Sequence, residues 1–85
     1  MGKIEDYNAM MAPYLERMSI RPCRNGDWKY KLILTDENGL QVSLLMLFND
    51  NGQYVPMKAL HDMGGMHKRA AVERFRLFFN EKNRI

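Results

Sequence analysis

The chain has one cysteine, three prolines and no apolar run longer than the five residues Leu44 to Phe48. A lone Cys23 cannot close an intramolecular disulfide, so the fold cannot lean on one, which suits a reducing compartment. Five apolar residues fall far short of the roughly 20 that span a bilayer. The N-terminal stretch "MGKIEDYNAMM" brings acids in early and lacks the apolar core of a secretory signal. Gly2 is followed at position six by Asp6, where N-myristoylation favours Ser or Thr. These absences lead to the expectation of a cytoplasmic protein that makes no use of a membrane.

Chemistry-bearing clusters are equally scarce. His61, Asp62 and His67 are the only grouping that resembles metal ligands, but their spacing is not a recurrent zinc spacing and Cys23 is distant in sequence. Cys23 lacks an orienting third group for a nucleophile–base pair. The acids Asp36, Glu37 and Asp50 sit in turn sequences, which explain them without catalysis. The expectation is a non-enzymatic protein with no catalytic residue, no metal and no cofactor.

What remains is a foldable composition. Eighty-five residues make one small domain, 1–85. The hydrophobic fraction of 46% and the nine aromatics argue against disorder. Eight Met are many, and suit either an irregular core or an adaptable partner surface. The net charge is +3 and is unevenly spread: Lys68, Arg69, Arg74, Arg76, Lys82 and Arg84 face only Glu73 and Glu81 in the last twenty residues.

Periodicity orders the chain. Ile4, Tyr7, Met11, Tyr14, Leu15 and Met18 recur at helical spacing over 3–18, with Glu5 and Asp6 in the first turn. Pro13 interrupts that pattern and predicts a kink, or two helical pieces meeting near Ala12. Asn-Gly then appears three times, at 25, 38 and 51, thirteen residues apart. Asn-Gly between apolar runs is the strongest short hairpin signal, because a type I′ turn needs positive φ at both central residues. Strands follow at about 18–24, 27–36, 40–49 and 53–57, the first at an edge because Pro22 cannot donate to a ladder. A short helical turn over "MKALHDMGG" precedes a second long helix from Met66 to about Lys82. Its apolar stripe is Ala71, Val72, Phe75, Phe78 and Phe79, with Arg69, Glu73, Arg76 and Asn80 opposite. The fold class is α+β: a three- or four-stranded antiparallel β-meander flanked by an N-terminal and a C-terminal α-helix.

Hairpin parity sorts side chains onto faces. A two- or four-residue loop at Asn38-Gly39 puts Trp28, Tyr30, Leu32 and Leu34 with Ser43, Leu45 and Leu47. It puts Lys29, Lys31, Ile33 and Thr35 with Val42, Leu44, Met46 and Phe48. Lysines beside aromatics suggest a single-stranded nucleic-acid platform, yet parity separates Lys29 and Lys31 from Trp28 and Tyr30. The apolar row Val42, Leu44, Met46 and Phe48 is a candidate partner interface, a homodimer seam or a second buried face.

"GGMHKR" opens the second long helix. Gly64 and Gly65 allow close approach, His67, Lys68 and Arg69 add charge, and the helix N-terminus offers unpaired N–H groups to an anion. The plainer alternative is a flexible entry to a solvated helix. "GGMHKRAAVERF" resembles the basic second helix of the double-stranded-RNA-binding domain, with Lys68 and Arg69 in basic positions and Ala71 in the small-residue position. That resemblance implies a helix, a three-stranded meander and a phosphate-gripping helix. Val72, Phe75 and the lack of a Gly-Pro-x-His element depart from it. The primary expectation is a protein that docks its basic helix, through Lys68, Arg69, Arg74 and Arg76 with Lys29 and Lys31, on nucleic acid or a nucleoprotein. The alternative is a small regulator or inhibitor, of the kind phages and mobile elements encode, binding a host protein through the sheet face or the same helix.

Overall fold

The computed structural model describes residues 2–83; the side chain of Ile4, and Arg84, lie outside the described residues. The order is α1 (Gly2–Arg17), β1 (Met18–Asn25), β2 (Trp28–Thr35), β3 (Gln41–Phe48), β4 (Tyr54–Pro56), α2 (Lys58–Met63) and α3 (Gly65–Lys82). The strands form one antiparallel sheet in the order β1-β2-β3-β4. The α+β meander expected from the sequence is present, in its four-stranded form. β1 lies before Asp27, so the three-stranded order of the double-stranded-RNA-binding domain is not met.

Pro13 does not divide the first helix. α1 runs through it as one sixteen-residue element. The missing proline N–H leaves the Ala9 carbonyl without its intrahelical donor, but Ala9 and Pro13 are both exposed, where water can serve that carbonyl. Pro22 occupies β1, at the sheet edge, as its missing donor requires.

The Asn-Gly repeat works differently from the type I′ expectation, since no described non-glycine residue has positive φ. Two of the three turns are built alike, each from a head residue two positions before the Asn. Asp36 Oδ1 accepts from the N–H groups of Asn38 (2.9 Å) and Leu40 (3.0 Å), and Asn49 Oδ1 accepts from those of Asn51 (3.0 Å) and Gln53 (2.9 Å). The Gly39 N–H donates to the Asp36 carbonyl and the Gly52 N–H to the Asn49 carbonyl. Gly39 and Gly52 hold φ of 82° and 80°. This is the three-residue hairpin loop, a turn closed by a glycine at positive φ. At the first turn Asn25 still pairs with Trp28, so Gly26 and Asp27 alone make the loop, with Gly26 at φ 61°.

Because a Cβ at Gly39 or Gly52 would meet nothing within 4 Å, substitution there is opposed by backbone conformation alone. Gly39→Ala and Gly52→Ala are each expected to destabilise by about 1–2 kcal/mol. Urea midpoints should fall by similar amounts in both; a loss at only one position would break the equivalence of the two turns.

The odd loop length changes the parity. Thr35 pairs with Gln41, Leu34 with Ser43, Ile33 with Leu44, and then Leu32 with Met46 and Tyr30 with Phe48. The register slips twice, leaving Val42 and Leu45 as the extra residues of two bulges. At the second bulge Leu45 and Met46 both become fully buried in the core. Tyr30 and Leu32 therefore share a face with Phe48 and Met46, and Lys31 with Leu47, against the expectation from an even loop.

All three helices contribute to one core. One cluster joins Met11 of α1, Leu60 of α2 and Ala70, Ala71 and Phe75 of α3 to Met18, Leu32, Leu34, Leu45, Met46 and Phe48. Ala70 rather than Val72 lies inward on α3; Val72 is exposed. Phe48 and Phe75 stack with centroids 3.7 Å apart and planes 9° apart. Ile33 is as fully buried as its neighbours but lies outside this cluster, consistent with its position on the other side of the sheet.

Candidate functional site

The expected interface row is not one surface. Met46 and Phe48 are fully buried under the helices, whereas Leu44 is half-buried on the opposite face and Val42 is an exposed bulge residue. The correction follows from the three-residue loop and the two bulges, which together rotate the far half of β3 by one residue relative to an even-loop hairpin.

The opposite face has its own order. Arg21 on β1 lies directly across from Lys31 on β2, Lys31 across from Leu47 on β3, and Leu47 across from Val55 on β4. This row reads basic, basic, apolar, apolar across the four strands. Beside it runs a second row, Ser19, Ile33 and Leu44. Lys29 joins the basic side by strand alternation. Arg21, Lys29 and Val55 are exposed, and Lys31, Leu44 and Leu47 half-buried. None of the strand residues on this face is acidic. Among the described residues Arg21, Lys29 and Lys31 have no ion-pair partner.

Lys29 and Lys31 are thus separated from Tyr30, as alternation anticipates. Tyr30 turns to the helices, edge-on to Phe78 at 5.4 Å and beneath the Lys82 ammonium at 4.3 Å. Trp28 is half-buried, and the Cys23 thiol reaches its carbonyl at 3.6 Å. The open face consequently offers aliphatic rather than aromatic contacts. Arg21, Leu47 and Val55 escaped the sequence reading. Arg21 follows from alternation with Met18 and Ile20, but Leu47 required the bulge.

The basic helix is divided among different tasks. Lys68 and Arg69 are exposed near the N-terminal end of α3. Arg74 turns inward, and its Nε–H donates to the Met18 carbonyl at 2.9 Å, fastening α3 to β1. Arg76 pairs with Glu73 at 2.7 Å. Arg74 therefore does not join the outward basic set, and Arg76 meets an acid on its own helix. Gly64 is the N-cap of α3 with φ 92° and supplies no side-chain cap; Gly65 begins the helix. His67 stacks edge-on against Tyr14 at 4.3 Å, and its Nδ1 is buried without a partner among the described residues.

His61 is exposed on α2 and His67 faces α1, and among the described residues no three His, Cys, Asp or Glu side chains gather as metal ligands. No helix among them is long and apolar enough to cross a membrane. An apolar groove of about 270 Å³ between β4 and α3, lined by Phe48, Tyr54, Val72, Phe75 and Phe79, falls just under the usual size of small-ligand sites. Comparison of the chain with protein-family models, curated proteins and solved structures gives no match.

Proposed function

We propose that this chain is a non-enzymatic binding protein, a small regulator or inhibitor that engages a protein partner through the open face of its sheet. The observation that carries this reading is that all three helices build the core on the Leu32–Met46 face, while the other face, around its fully buried Ile33, keeps Arg21, Lys29 and Val55 exposed. Exposed basic groups beside partly uncovered aliphatic side chains suit a protein interface.

Docking of α3 on nucleic acid is the second reading. Lys68 and Arg69 favour it, since both are exposed near the N-terminal end of α3. The inward hydrogen bond of Arg74 and the Glu73 carboxylate beside Arg76 weaken it, as does a lysine-bearing face without an aromatic platform for base stacking. Fluorescence anisotropy with labelled single strands and duplexes separates the two readings. The protein-binding reading expects only weak association that disappears between about 50 and about 200 mM salt and does not depend on Lys68 and Arg69. Tight binding that is lost in the Lys68→Glu/Arg69→Glu variant would establish the nucleic-acid reading instead.

A further inference from the structure

The open face carries more information than its exposure. Arg21 and Lys31 stand directly opposite each other across β1 and β2, an arrangement that repels in the free protein. Neither has an ion-pair partner among the described residues, and no strand acid on that face relieves them. In the same row, Leu47 and Val55 continue with aliphatic surface. Strands lie about 4.8 Å apart, so the row from Arg21 to Val55 spans roughly 14 Å. That width is close to the roughly 10–12 Å diameter of one α-helix with its side chains.

We propose that the partner presents an acidic amphipathic helix to this face, with carboxylates along one flank over Arg21 and Lys31 and aliphatic side chains along the other over Leu47 and Val55. The inference rests on the docking surface proposed above and specifies what fills it. A carboxylate between Arg21 and Lys31 turns a like-charge contact into two attractive ones. Those cations sit beside apolar surface, where contact with the partner excludes water and strengthens the attraction. The helix's aliphatic flank covers exposed Val55 and the accessible part of half-buried Leu47.

Amide chemical-shift mapping tests this with three synthetic helical peptides: one with a Glu flank and a Leu flank, one with Lys in place of Glu, and one with Glu but no Leu. A short nucleic-acid duplex serves as the competitor class. The Glu/Leu peptide is expected to move the amides of Arg21, Lys31, Leu47 and Val55 and to bind more tightly than the other two. Arg21→Glu/Lys31→Glu should weaken it by more than about tenfold and transfer the preference to the Lys/Leu peptide. Should that variant not fold, Arg21→Gln/Lys31→Gln is expected to lose the preference for Glu over Lys. Equal binding of the Glu/Leu and Lys/Leu peptides at this face would overturn the acidic helix and leave the docking face standing. Perturbations confined to other surfaces would overturn both, and stronger movement of this face by the duplex would assign it to nucleic acid.

Discussion

Met46→Asp is expected to leave the chain unfolded at 25 °C, while Leu47→Asp, one residue on, leaves it folded. Met46 is fully buried between β2, β4 and the helices. An aspartate there forfeits about 2–5 kcal/mol of core packing. It also buries a carboxylate without a partner, a penalty of several kcal/mol. A domain of this length has roughly 4–13 kcal/mol in total. Leu47 lies half-exposed on the other face, directly across from Lys31. An aspartate at that position loses about 1–2 kcal/mol of apolar burial and gains an opposite charge nearby. Far-ultraviolet circular dichroism and amide dispersion read the difference. If Leu47→Asp unfolds and Met46→Asp does not, the bulge at Leu45 is misplaced and the faces of β3 are reversed.

The second large effect lies where α3 meets the sheet. Phe75 is buried and stacks on Phe48, and touches the Phe78 and Phe79 rings at 6.2 and 5.6 Å between centroids. Phe75→Ala removes the only large side chain among the three buried residues of α3, since the other two are Ala70 and Ala71. The expected loss is about 3–5 kcal/mol. At roughly 4–8 °C per kcal/mol for a domain of this size, the Tm should fall by at least about 12 °C. Phe48→Ala should cost a similar amount, and the double variant less than the sum, because both rings line the same space. Leu77→Ala on the exposed side of the same helix should change stability by no more than about 0.5 kcal/mol. Equal losses at Phe75 and Leu77 in thermal unfolding would contradict the packing described.

Much of the architecture was legible in the residues. Helical spacing in α1 and α3, Asn-Gly punctuation and the edge demand of Pro22 are local signals, and local signals survive in a sequence. The strand boundaries expected from them lie within one residue of those observed. The separation of Lys29 and Lys31 from Tyr30 was also legible, because it needs only the alternation within one strand. Pro13 does not split α1 into two pieces, because an exposed helix face can give the Ala9 carbonyl to water.

The sequence by itself determined which segments are helices and strands, where the chain turns, and which side chains alternate within each strand. Only the tertiary structure decided how one strand's alternation is matched to the next. Asp36 folds its side chain over the Asn38-Gly39 turn and makes an odd loop. Two bulges then shift β3 again, so Met46 and Phe48 go inward and Leu47 comes out beside Lys31. Side-chain direction has a period of two, so a single extra residue exchanges core for surface. No local preference in "QVSLLMLF" marks where that residue falls, because Leu44, Leu45, Met46 and Leu47 are nearly equivalent as strand formers. Packing beneath three helices selects Leu45 and Met46 for the core. That same selection leaves a basic and aliphatic row on the open face.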